Sequence, residues 1–355
     1  MNWKKCSFKN FIQLQRGFDL TRSSMAGGEF PVVGSNSVIG FHKEFKVEGP
    51  GVITGRSGTL GEVQYIQGKY WPHNTSLWVK DFKNNEPRFV YYKLQTLDLK
   101  SYNGGGAVPT LNRNNLDNIE IIIPPLPTQK KIAAILSTYD DLIENNLKRI
   151  ALLEKSARLL YEEWFVRLRF PGHEQAKIVD GVPERWEKGT VKEILELQRG
   201  FDLPTQSRDS EGTVPIFAST GIVGYHSKAK VAGPGVVTGR SGTIGKVSYI
   251  ETDFWPLNTT LWVKKYHQGG PLFAYQFLQT LSLEKFAGGA AVPSLDRKIA
   301  HAISIIIPPA DLVTRFEQTV KPIQDQIQKL QFQNEKLKQA RNILLPKLIN
   351  GEITV

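Results

Sequence analysis

Apolar positions fall into two textures along this chain, and each texture occurs twice. In the first, short β-prone runs are broken by glycine and proline. Gly51–Ile66, GVITGRSGTLGEVQYI, predicts strand, turn, strand, because β-branched residues flank a glycine-rich turn. TSLWVK and IEIII predict further strands. FVYYKLQTLDL and LFAYQFLQTLSL place aromatic residues and leucines three and four apart, as a helix with one buried face requires. The second texture is helical. Pro124, Pro125 and Pro127 end the last strand, and Ser137–Asp140 fits a capping box. Ile143, Asn146, Ile150, Leu153, Ala157, Leu160 and Trp164 then alternate by three and four, a heptad seam. Ile327, Leu330, Asn334, Leu337, Arg341 and Leu344 form a matching seam that ends near Pro346. Asn146 and Asn334 are polar seam positions of the kind that fix register at some cost in stability. The recurrence of the pattern favours a packed helix pair over two helices lying separately on their own domains.

The textures recur because the chain is a tandem repeat. LQRGFDL stands at Leu14–Leu20 and unchanged at Leu197–Leu203. GPGVITGRSGTLGEVQYI (Gly49–Ile66) returns as GPGVVTGRSGTIGKVSYI (Gly233–Ile250), with 14 of 18 positions identical. WPHNTSLWVK, GGGAVPTLNR and IIIPP also return, as WPLNTTLWVK, GGAAVPSLDR and IIIPP, at an offset of 184. Two copies of such length are a duplicated domain with its connector, not a solenoid. The expected division is a mixed α and β domain over 1–125, a helical segment over 126–170, a linker over 171–185, a second domain over 186–309 and a second helical segment over 310–355.

Composition narrows the partners. The net charge of +11 favours anionic ones, nucleic acid before membrane surface. Residues 1–125 hold 15 basic and 10 acidic side chains, and no lysine-rich tail exists, so the surplus is spread over folded surface. The single cysteine, Cys6, excludes a disulfide framework and a cysteine metal site. No signal-peptide pattern and no bilayer-length apolar run occur, so the expected setting is cytoplasmic, without a membrane partner.

Catalytic patterns are wanting. GRSGTIGK (Gly239–Lys246) misses the spacing of a phosphate-binding loop, and Glu62 replaces its lysine in the first copy. No glycine-rich cofactor fingerprint, adenine methyltransferase motif or histidine metal spacing is present. Binding is better supplied. Arg56, Ser57 and Thr59, with Arg240, Ser241 and Thr243, sit at expected hairpin tips. There, side chains and exposed N–H groups could meet a phosphate backbone; alternatively these are plain glycine turns. Arg113 and Arg297 close the GGGAVPTLNR-type segments and join the DNA-binding candidates. Arg16 and Arg199 are expected to pair with Asp19 and Asp202, and Trp71, Trp78, Trp255 and Trp262 to be core. His42 and His226 are an equivalent pair, better suited to a surface or DNA contact than to catalysis. Base reading is sought where the copies differ, in Thr21–Glu48 with Pro204–Ala232 and in Asp81–Asn103 with Lys265–Ala287. The candidates are Arg22, Ser35, Asn36, His42 and Lys43, and Arg208, Ser219, Thr220, His226 and Lys228.

In this order the motifs resemble type I restriction–modification specificity subunits. The resemblance rests on the repeated domain, the IIIPP break, PPLPTQKKIAAILSTYDDLIENN, and GVPERW (Gly181–Trp186) with Trp3 as its counterpart. It covers nearly the whole chain, although ADLVTRFEQTV opens the second helix where PTQKKIAAIL opens the first. The resemblance implies two target-recognition domains, each reading half of a bipartite site in double-stranded DNA. It also implies two antiparallel helices acting as a ruler. Two modification subunits would dock there and transfer methyl groups from SAM to adenine, and restriction subunits would add ATP-driven cleavage. SAM, ATP and Mg then belong to those partners, and this chain itself binds no cofactor and performs no catalysis. The rival readings are a type IIB-like specificity subunit and a coiled-coil adaptor that binds no DNA.

Overall fold

The computed structural model describes residues 3–25, 27–104, 109–179, 181–209, 211–289 and 293–355, so parts of both GGGAVPTLNR-type segments lie outside the described residues. The chain divides into two compact units, residues 1–147 with 331–355, and residues 148–330.

In the first unit, a four-stranded sheet runs in the order Gln13–Arg16, Ser76–Asp81, Gly51–Gly55, Val63–Ile66. A second sheet pairs Val38–His42, Phe30–Val33, Lys69–Pro72 and Val47–Glu48, with Phe30–Val33 and Lys69–Pro72 parallel. Lys4–Ser7 pairs with Glu120–Ile123. The expected strand–turn–strand of Gly51–Ile66 is present, with Val52 opposite Tyr65. Strand Gly51–Gly55 is buried along its length because both faces are covered. The helix Pro87–Gln95 starts on proline, which has no N–H to leave unbonded in a first turn. It buries Phe89, Val90, Tyr92 and Leu94 in a core shared with Phe8, Phe11, Leu77 and Leu111.

The second unit repeats this plan. Leu195–Arg199, Thr260–Tyr266, Gly235–Gly239 and Val247–Ile250 form its main sheet, and Gly221–His226, Val214–Ala218 and Trp255–Pro256 its second. Helix Pro271–Thr280 matches Pro87–Gln95. A cluster of Tyr161, Trp164, Phe165, Phe273 and Phe316 stacks mostly edge to face, with centroid distances of 5.0–6.3 Å.

Two long helices, Leu126–Tyr161 and Ala310–Ile349, contribute to both units. In the first unit Asp140 meets Arg341 and Asn146 meets Asn334, so the partners run antiparallel. In the second, Ile150 packs with Ile327 and Leu330, and Tyr161 with Phe316. Ile143, Asn146, Ile150, Ala157, Trp164, Ile327, Leu330 and Asn334 are buried, while Leu153, Leu160, Leu337 and Leu344 are half-buried.

Both helix ends correct the sequence reading. Ser137–Asp140 caps nothing. The helix has already started at Leu126, and the Ser137 and Thr138 hydroxyls donate back to the Ala134 carbonyl at 3.2 and 2.9 Å. Gln129 secures the true start. Its amide donates to the Asn85 side chain (2.8 Å) and the Pro124 carbonyl (3.0 Å), and its oxygen accepts the Glu86 N–H (3.0 Å). The second helix passes Pro346 and ends at Ile349, because Leu348 and Ile349 are buried in the core of the first unit. The burial they bring outweighs the hydrogen bond that proline removes.

Candidate nucleic-acid interface

Each unit contains a cleft assembled from the same four repeated segments. In the first unit Arg16, Phe18, Arg56, Lys80 and Arg113 line it; in the second, Arg199, Phe201, Arg240 and Arg297 do. Arg16 ends its strand at Gly17, where a Cβ would lie 2.1 Å from the His73 carbonyl oxygen. Gly200 is equally constrained, 2.2 Å from the Leu257 oxygen. Only glycine lets LQRGFDL approach the WPHNT segment so closely. The Arg56 and Ser57 N–H groups both donate to the Thr75 carbonyl, at 2.8 and 3.1 Å, and the Leu111 N–H donates to the Arg56 carbonyl at 2.8 Å. Arg240 and Ser241 repeat this on Thr259, at 2.8 and 3.2 Å, and Leu295 donates to Arg240 at 2.8 Å. Three chain segments are thus tied together beneath the guanidinium groups.

These bonds revise one expectation. The backbone N–H groups of Arg56, Ser57, Arg240 and Ser241 are consumed by carbonyls, as buried main-chain donors must be. An anion approaching these positions would meet side chains instead. The glycines of the loop serve its shape: Gly58 and Gly242 have φ of 82° and 81°.

One arginine in each cleft is neutralised and two are not. Arg16 Nη2 donates to Asp19 at 2.7 Å and Arg199 to Asp202 at 3.3 Å, and the Asn74 and Asn258 amides donate to the same carboxylates. The Asn74 hydrogen bond, aided by Arg16, holds the Asp19 carboxyl below its ordinary range. Arg56, Arg113, Arg240 and Arg297 form no ion pair among the described residues. Arg56 and Arg113 donate only to carbonyls, at 3.4 and 3.3 Å. Each cleft therefore presents two uncompensated guanidinium groups, the donor geometry that suits phosphate oxygens and guanine edges.

The remaining candidates are not among the residues that line the clefts. Arg22, Asn36, Lys43, Thr220, Lys228 and Thr243 are exposed, and Ser35, Ser57, Thr59, Arg208 and Ser241 half-buried. Ser219 is buried under its turn: its N–H donates to Thr259 Oγ1 at 3.3 Å, and a Cβ on Gly242 would lie 3.1 Å from its Oγ. It supports the loop and does not face outward, contrary to its place among the base-reading candidates. The divergent stretches Asp81–Asn103 and Lys265–Ala287 are largely the two packed helices, whose inward residues are core. Lys43 aligns with Ser227 and Lys228 with Glu44, so these two are not counterparts, whereas Lys46 and Lys230 are. Sequence reasoning passed over those two lysines, and over Asn74 and Asn258, although WPHNT and WPLNT mark both asparagines.

A duplicated α/β unit with a basic cleft in each copy and a shared helix seam has the architecture of a tandem recognition protein. The model of the type I restriction modification DNA specificity domain matches residues 1–155 and again 183–343, and the chain belongs to that family. It is similar to the type I restriction enzyme MjaIX specificity subunit of Methanocaldococcus jannaschii, 27% identical over 78% of this chain and 71% of that one. It is also similar to the type I restriction enzyme HindI specificity subunit of Haemophilus influenzae, 23% identical over 75% and 77%. Among solved structures, the type I restriction-modification S subunit from M. genitalium matches its fold with a TM-score of 0.61, at 18% identity, over 98% of this chain and 96% of that one. Among the described residues no helix is long and apolar enough to cross a membrane, and no group of metal-binding side chains occurs.

Proposed function

We propose that this specificity subunit reads a bipartite site in double-stranded DNA, one half-site per unit, and that its long helices set the spacer and dock modification subunits. The observation that carries the reading is the recurrence of one cleft, with the same pair of uncompensated arginines, in both units. Duplication of a binding surface is what a two-part site requires. The helix Leu126–Tyr161 has 36 residues, or ~54 Å at ~1.5 Å per residue. That is enough to bridge the ~34–36 Å between half-sites one DNA turn apart. Leu152 and Leu159, seven residues apart on this helix, are exposed, as are Leu142 and Leu147. Leucines left outside a helix seam support docking of a partner protein there.

In this scheme two modification subunits carry SAM, restriction subunits carry ATP and Mg, and this chain supplies recognition alone. The divergent loops also align in outline, PVVGSNSVIGFHKEFKV with PIFASTGIVGYHSKAKV, which supports two related half-sites in inverted orientation. Single-molecule methylation sequencing, with and without this chain beside its modification subunit, tests the proposal. A bipartite methyladenine motif that depends on this chain is the expected result. An active modification subunit with no such motif would favour the adaptor. A motif made by a partner that also cleaves would indicate a type IIB-like system.

A further inference from the structure

At the same place in each unit a lysine is held over a tryptophan. Lys46 Nζ lies 4.8 Å from the Trp71 ring centre and Lys230 Nζ 5.1 Å from that of Trp255. His42 and His226 pack edge-on against the same indoles, with centroids 5.0 and 5.3 Å away. Each histidine is itself fixed, its Nδ1 accepting a backbone N–H: from Glu44 at 3.0 Å and from Asp209 at 3.2 Å. The indoles are buried and the lysines exposed. Neither ammonium has a carboxylate or hydrogen-bond partner among the described residues.

The arrangement adjoins the clefts. Phe18, which lines the first cleft, packs against Trp71 at 6.3 Å, and Lys230 lies 5.8 Å from the ring of Phe201, which lines the second. A neighbouring lysine–aromatic pair in the first unit, Lys69 over Phe45 at 4.7 Å, has no counterpart, because Asp253 and Ala229 stand at those positions. So among the described residues of the loops that differ between the copies, the lysine–aromatic contact kept in both is Lys46 with Trp71, and Lys230 with Trp255. A contact that stays while its neighbours change suits the part of DNA that is the same at every site, the phosphate backbone.

Building on the DNA-reading function proposed above, we propose that Lys46 and Lys230 are phosphate anchors, one per unit, which seat the duplex against the arginine clefts without reading sequence. The aromatic face restrains a long, rotamer-rich side chain before DNA arrives, and leaves N–H donors of the ammonium directed to solvent. The adjoining arginines and the differing loop residues are then free to carry sequence discrimination.

The test uses the full chain assembled with its modification subunits. Binding is titrated against salt on a fluorescent duplex carrying the methylated motif and on a scrambled duplex of equal length. Lys46→Met or Lys230→Met should each reduce the slope of log affinity against log salt by about 0.9. Each should weaken both duplexes by the same factor, roughly eightfold at 0.1 M salt on that slope, and leave the methylated motif unchanged. Lys46→Arg, which keeps the charge, should restore the slope. An unchanged slope would overturn the anchor. So would a loss confined to the motif duplex, or an altered half-site, since either means that the lysine reads a base. Failure of the unsubstituted complex to prefer the motif duplex would instead refute the DNA-reading function itself, and is seen before any variant is made.

Discussion

The Asn146–Asn334 pair offers a sharp test of how the helix seam is specified. Asn146 Nδ2 donates to Asn334 Oδ1 at 2.9 Å, and the residues are 7% and 4% exposed. The Asn334 amide nitrogen is buried without an acceptor, so the pair is already only partly satisfied. In Asn146→Ala the remaining carbonyl oxygen also loses its donor, with a cost of about 1–3 kcal/mol for the orphaned buried group. For a unit of this size that is a fall of roughly 2–4 °C in Tm per kcal/mol. Asn146→Leu with Asn334→Leu removes every polar atom from this layer and adds apolar burial, so the double variant should match or exceed the parent in stability. The two sites should therefore couple by at least ~1 kcal/mol in a double-mutant cycle built on the leucine variants. Urea and thermal melts of the full chain measure the stability, and methylation sequencing measures the register. With the asparagines gone, less polar pairing resists a shifted seam, Asp140 with Arg341 remaining, so the spacer should become more heterogeneous. Additive destabilisation with one sharp spacer would refute this role for the pair.

Three further outcomes are expected. Gly55→Ala should destabilise the first unit by more than ~1 kcal/mol, because the new Cβ would lie 1.8 Å from the Thr59 carbonyl oxygen; Gly239→Ala should do the same to the second, both read by thermal melts. Phe316→Ala, in the middle of the aromatic cluster of the second unit, should cost about 3–5 kcal/mol by denaturant titration. His301 accepts the Leu197 N–H at 2.8 Å, and burial, with Lys192 and Arg297 nearby, depresses its pKa below 6.5. The folded state thus disfavours the charged ring. Its contribution is complete above the ordinary imidazole value and declines as pH falls through it, levelling below the depressed value. Thermal melts across that window should show a smaller acid-side decline in His301→Gln.

Much of this was legible in the chain. Repeats marked the two copies, the strand–turn–strand of Gly51–Ile66 followed from β-branched residues around glycines, and the seam positions from Ile143 to Leu344 all lie inside or half inside. Arg16 with Asp19 and Arg199 with Asp202 pair as their spacing implied. The cap was misplaced because Ser137 and Thr138 have cap chemistry, whereas the start at Leu126 depends on Gln129 reaching Asn85 and Glu86, more than forty residues away. Tertiary contacts of that kind leave no local pattern. The clefts were hidden for the same reason: Arg16, Arg56 and Arg113 converge only once Gly17 and Gly55 allow close backbone approach. Ser219 looked available because polar residues in divergent loops usually are, and only the fold reveals the turn above it.

The central claim is that each unit reads its own half-site. The most direct measurement exchanges the divergent loop of the second unit, Pro204–Ala232, for Thr21–Glu48 of the first, and sequences the methylated DNA. One half-site should change to the inverted copy of the other, with the spacer and the remaining half-site intact. Changes in both half-sites, or an unaltered motif made by a folded and active complex, would contradict it.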